Sequence, residues 1–166
     1  MTHSKLRILT LALFGLAATA VLAQTEAQKA FDAIKALPGT WEGKGPDGKP
    51  FQVTFRVTAK GSAVLSEILV PNEDMISMIH LDGPNRLLLT HYCGAGNQPR
   101  MQASVSPDGK IITFNFVDAT NMPSPDAEHM HRVVFTLVDN NHHTEEWLFM
   151  SHGKEMKEVF DLHRKA

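Results

Sequence analysis

From Phe51 onward the chain is dominated by alternation of apolar and polar residues. Phe51, Val53, Phe55 and Val57 alternate with Gln52, Thr54, Arg56 and Thr58, the period-two pattern of a strand with one dry and one wet face. Similar short apolar runs bounded by turn residues predict ten β-strands, over 40–44, 51–58, 62–70, 75–81, 86–93, 100–105, 111–117, 130–138, 143–150 and 155–164. The start of the domain differs. Ala27, Ala30, Phe31 and Ile34 recur at helical spacing between Gln28, Lys29, Asp32 and Lys35, and Leu37-Pro38-Gly39 ends the helix they predict.

Strands with one wet face are antiparallel, because a buried parallel sheet is apolar on both faces and needs crossover helices. The connections give the topology. Lys60-Gly61, Asp82-Gly83-Pro84-Asn85, Pro107-Asp108-Gly109 and Asn140-Asn141 are tight-turn sequences, and in an up-and-down meander all four lie at one end. The longer connections 45–50, 71–74, 94–99 and 118–129 then lie at the other. A meander of about ten strands removes its edges by closing into a barrel, with one end tightly turned and the other carrying the loops around a ligand entrance. An open sheet or a sandwich is the alternative architecture.

Residues 1–23 carry a different pattern. Lys5 and Arg7 precede an apolar run from Ile8 to Leu22 that is too short to span a bilayer comfortably, and Val21 and Ala23 are the small residues a signal peptidase accepts. The expectation is an exported protein, periplasmic or secreted, beginning at Gln24, with residues 24–166 as a single barrel domain. The whole chain has 16 Lys and Arg against 18 Asp and Glu; removing Lys5 and Arg7 leaves 14 against 18, a formal charge of −4. Without a basic stripe the composition excludes a nucleic-acid binder. Cys93 is the sole cysteine, so no internal disulfide forms and burial of the thiol is expected in an oxidising compartment.

The segment Leu37-Pro38-Gly39-Thr40-Trp41-Glu42-Gly43 resembles the Gly-x-Trp opening of the calycin superfamily: lipocalins, fatty-acid-binding proteins and nitrobindin-like barrels. The resemblance implies a barrel in which Trp41 is covered by an arginine from near the last strand, here Arg164, at the closed end. Residues 39–48 look most like the nitrobindin-like branch, and the whole chain is similar to secreted bacterial proteins of its length. That branch implies haem held by a histidine close to the C-terminal strand, where this chain has His152 and His163 at spacings that do not match.

Candidate chemistry gathers at the loop-bearing end. His91 and Cys93 end the fifth strand and His129 and His131 begin the eighth; each pair is two residues apart and so faces one side. Asp118 shares the parity of Phe114 and Phe116. His91, Cys93, His129 and His131 form a ligand set suited to zinc or another borderline metal, with Asp118 or water completing the shell. Three other readings stand beside it: polar rim residues around a small buried thiol, a nucleophilic Cys93 with His91 or His131 as base, and haem. His131 is expected to point inward with Val133, Phe135 and Leu137. Of Glu145 and Glu146 at most one enters the barrel. His142-His143 is expected in solvent at the closed end, and Met75, Met78, Met122, Met130 and Met150 offer an adaptable apolar lining.

The function expected from these positions is binding of a small apolar or amphipathic molecule, with Phe55, Val57, Phe114, Phe116, Val133 and Phe135 as walls and His91, His131 and Asp118 orienting a polar head group. A metal- or haem-dependent protein, with or without enzymatic activity, is the first alternative. A filled barrel acting as an interaction module is the second.

Overall fold

The computed structural model describes residues 24–45, 48–70 and 73–166. The expected export segment 1–23 lies outside the described residues. Helix α1 (Glu26–Ile34) precedes ten strands: β1 (Gly39–Lys44), β2 (Pro50–Thr58), β3 (Ala63–Val70), β4 (Glu73–Leu81), β5 (Leu87–Tyr92), β6 (Gln98–Val105), β7 (Ile111–Thr120), β8 (His129–Asp139), β9 (His142–Ser151) and β10 (Lys154–Arg164). All neighbours are antiparallel and in sequence order, and β1 pairs with β10, so the meander closes into a barrel. The ten predicted strands are all present. β7 runs three residues further than its apolar pattern because Pro99 and Gln98 of β6 continue to pair with Ala119 and Thr120.

Helix α1 forms where the periodicity places it. The Thr25 side chain caps it by accepting from the Gln28 amide, and Ala27, Ala30, Phe31 and Ile34 are its buried face. The Thr25 hydroxyl also donates to the carbonyl of Pro84 in the β4–β5 turn, which ties the helix across the closed end. Tight turns at that end behave as expected: Ala59, Lys60 and Gly61 all take positive φ between β2 and β3. The open end is not wholly loops, because β9 and β10 are joined through His152 and Gly153 alone, both at positive φ.

Closure depends on the first and last strands. Only two registered pairs join them, Trp41 with Arg164 and Glu42 with His163. The Arg164 guanidinium carbon lies 4.3 Å from the centre of the Trp41 ring, as the resemblance implied. Its nitrogens donate to Asn140 O at 3.0 Å, Pro38 O at 2.7 Å and Ala36 O at 3.2 Å, tying the α1–β1 link to the β8–β9 turn. Trp41 is fully buried and donates through Nε1 to Leu37 O at 2.9 Å. The two glycines of the motif serve this corner. Gly39 takes φ +123° and a Cβ there would stand 3.2 Å from the Arg164 guanidinium; a Cβ on Gly43 would stand 2.8 Å from Asp161 O.

Arg164→Ala is expected to cost about 2–3 kcal/mol in urea unfolding, since three carbonyls lose a charged donor at once. Arg164→Lys should recover little of it, because an ammonium cannot fork between three acceptors and cover an indole. A lysine variant as stable as the parent would show that charge alone holds the seam.

Candidate functional site

The inward positions divide the barrel into a filled half and a hollow half. Toward the closed end Phe55, Phe114 and Phe135 are buried against one another, with ring centres 6.4 Å apart for Phe55–Phe135 and 5.9 Å for Phe114–Phe135. Val133 is fully buried with them, whereas Val57 is 37% exposed at the end of its strand. Phe55, Phe114, Val133 and Phe135, expected as ligand walls, are core, and Val57 lies outside it. Toward the open end a cavity of about 370 Å³ is lined by Met75, Met130, Trp147, Phe149 and Met156, with Cys93 and Ala95 from the β5–β6 turn. Lys157 and Glu158 stand at its rim, and burial there raises the Glu158 pKa above the ordinary carboxylate value. Among the described residues, β10 has registered partners on β9 alone from Lys154 to Phe160, so β1 does not pair along the stretch beside the cavity.

A band of polar side chains crosses the interior between the two halves. Ser66, Ser77 and His91 are cross-strand neighbours on β3, β4 and β5, all pointing inward and all buried. Ser77 Oγ and His91 Nδ1 are 2.9 Å apart. On the opposite wall β9 turns His143, Glu145 and Trp147 inward. Glu145 is fully buried and accepts from Trp147 Nε1 at 2.9 Å and lies 3.2 Å from His143 Nε2. The His91 ring meets the Trp147 ring at 4.9 Å, so the band reaches the aromatic floor of the cavity. Three of its atoms, Ser66 Oγ, His91 Nε2 and His143 Nδ1, are buried without a protein hydrogen-bond partner, the usual mark of a place where water or a ligand supplies one.

The expected ligand set does not assemble. Among the described residues the one group of three or more His, Cys, Asp or Glu donor atoms within 4.8 Å of each other is His142, Asp161 and His163, none of them from the open-end set. His91 is buried against Trp147 and hydrogen-bonded to Ser77, while Cys93 is half-buried at the cavity wall. His129 and His131 sit together elsewhere, beyond Asn115–Arg132, the last β7–β8 pair toward the open end, flanking Phe116 at 4.6 and 5.2 Å. His129 Nδ1 donates to Ala127 O at 2.7 Å, which leaves its Nε2 to accept from His131 Nδ1 at 3.1 Å. The lone pair a metal would use is engaged.

Two bulges account for the misplaced side chains. In β8 the register shifts between Met130 and Arg132, so Met130 takes the inward place opposite Phe149 and His131 is the extra, half-buried residue. In β7 the register passes from Met101–Phe116 to Arg100–Asp118, skipping Val117. Asp118 therefore leaves the parity of Phe114 and Phe116 and is gripped by both arms of the Arg100 guanidinium on the outer wall. That pairing holds its carboxyl below the usual range. His143, expected in solvent, is fully buried because it shares the face of Trp147; His142 is the one that faces out. The parity of Trp147 and Phe149 was the signal that would have placed His143 and Glu145 inside.

No family model and no curated protein matches the sequence. Among solved structures the fold is similar to that of Rv2717c from M. tuberculosis, with a TM-score of 0.56, 17% identity, and coverage of 82% of this chain and 98% of that one. The likeness is one of fold. It extends over nearly the whole of Rv2717c and supports the barrel independently of the Gly39–Gly43 motif.

Burial pushes the His91 pKa down to about 4, from an ordinary value near 6.5. The unfolded chain therefore takes up a proton on this residue between those values while the folded chain does not, so the contribution of His91 to stability is present above about pH 6.5 and is lost as the pH falls toward 4. Urea unfolding across that window should show a loss approaching about 3 kcal/mol that His91→Gln removes. An unchanged slope in the variant would show that His91 does not govern it.

Proposed function

We propose that the protein is an exported binder of a small apolar or amphipathic molecule, held in the open-end cavity with its polar end toward His91. The observation that carries this reading is an apolar hollow whose Trp147 wall packs against His91, a buried imidazole with one nitrogen that has no protein partner. The volume lies in the range of small-molecule sites, and the Met75, Met130 and Met156 side chains give a lining that adapts to flexible chains. His91, held neutral by burial, suits a hydrogen-bonding group such as a hydroxyl better than an anion; a charged group would rest at Lys157. Export rests on the residue pattern of 1–23, and kinship with calycins on the Trp41–Arg164 corner and the closed meander. The metal or haem reading has less support, because His91, Cys93, His129 and His131 stand in separate places.

Titration with anilinonaphthalene sulfonate, displaced by a long-chain alcohol, tests the binding reading. Saturable binding is expected, lost in Met130→Arg, which puts a charge into the cavity. His91→Leu should weaken the alcohol several-fold and leave the dye nearly unaffected, the difference being one hydrogen bond worth about 1 kcal/mol. Absence of saturable binding, or equal binding by a folded Met130→Arg protein, would overturn it. For export, expression of the full chain in a bacterial host should yield periplasmic protein whose first residue is Gln24; an intact Met1 in the cytoplasm would refute that part alone.

A further inference from the structure

On the outer wall near the closed end, away from the cavity, β9 and β10 bring together two imidazoles and a carboxylate. His142 and His163 are directly opposed in the register, and Asp161, two residues before His163, shares its face. Their rings stack with centres 4.3 Å apart and planes 15° from parallel. Asp161 Oδ1 lies 2.6 Å from His142 Nε2 and 3.8 Å from His163 Nε2. All three donor atoms fall within 4.8 Å of one another.

We propose that His142, Asp161 and His163 form a binding site for a borderline divalent cation, of the class of zinc, nickel or copper(II). Two neutral imidazole nitrogens and one carboxylate oxygen are a donor set these ions prefer, and hard cations such as calcium do not. Metal bonds of about 2.0–2.2 Å to each donor place the donors roughly 3 Å apart, so His142 and Asp161 open slightly and His163 swings in. The side chains have the freedom to do so, Asp161 being 65% and His163 64% exposed. The backbone beneath them has little. The β9–β10 ladder pairs every residue from Ser151–Lys154 to His142–His163, and the turn before His142 is pinned by Arg164, whose amide donates to Asn141 O at 2.9 Å and whose Nε donates to Asn140 O. Glu42 is the cross-strand neighbour of His163, but its carboxylate is held by Lys165 at 2.7 Å and Gln52 at 2.9 Å, so it adds little charge to the site. A hollow of about 440 Å³ bordered by Gly43, Pro50, Asp161 and His163 leaves room for the waters that complete the shell.

Calorimetric titration of the whole protein with nickel and with zinc should give one site per chain of micromolar strength. His142→Ala and His163→Ala should each weaken it by at least about tenfold while melting without metal stays near the parent value, since both side chains lie on the outer wall. With copper(II), electron paramagnetic resonance should show nitrogen couplings from two imidazoles in the parent and one in either variant. Binding that survives both substitutions, that disappears instead in His129→Ala, or that is absent at millimolar metal would overturn the assignment. Calcium competing equally with nickel would do the same.

Discussion

The structure depends on a seam only two residue pairs wide. A ten-stranded antiparallel sheet left open would present the edges of β1 and β10 to solvent, and closure removes both. Strand pairing contributes little to that closure, so the side chains of Trp41 and Arg164 contribute most: an indole buried under a guanidinium that also satisfies three carbonyls from two separate connections. The contact joins residues 123 positions apart, among the longest separations the fold closes, and the seam is expected to form after the local hairpins. Gly39 matters because its backbone takes φ +123°, and Gly43 because a Cβ there would meet the Asp161 carbonyl at 2.8 Å.

A closed barrel of ten strands encloses more space than aliphatic side chains fill evenly, and the chain distributes its bulk unequally. Aromatic rings and α1 occupy the closed half. Methionines and the Trp147–Phe149 pair border the open half, where among the described residues β10 has registered partners on β9 alone. Between them runs the Ser66–Ser77–His91 row facing His143–Glu145–Trp147. Burying a carboxylate and two imidazoles is costly unless each finds partners, and most do; the exceptions, Ser66 Oγ, His91 Nε2 and His143 Nδ1, concentrate the unmet hydrogen-bonding capacity in the barrel interior. The proposed ligand site follows from that concentration. The proposed cation site follows from the opposite circumstance, three exposed donors on a ladder too regular to let them drift apart.

Periodicity settled which residues form strands, and turn chemistry settled their order, because both are local: alternation reports a half-buried face, and a two-residue connection allows only a hairpin. The pairing of Trp41 with Arg164 was legible through the resemblance of residues 37–43, with the strand count placing both at the closed end. Parity also carried the aromatic core correctly to the interior at Phe55, Phe114 and Phe135. What the sequence could not supply was the phase after an irregularity. One extra residue at His131 exchanged the places of Met130 and His131, and one at Val117 sent Asp118 outside to Arg100; a bulge leaves no mark in composition and is decided by the partner strand.

The sequence by itself thus determined the fold and the end at which the longer loops gather, which rest on patterns repeated along the chain, and the resemblance of residues 37–43 supplied the corner that closes it. Only the tertiary structure decided which polar side chains meet. His91 met Ser77 and Trp147 rather than His129 and His131, Glu145 met Trp147 and His143, and His142 met Asp161 and His163. Such meetings depend on register and curvature across strands far apart in sequence, and a shift of one residue reverses them.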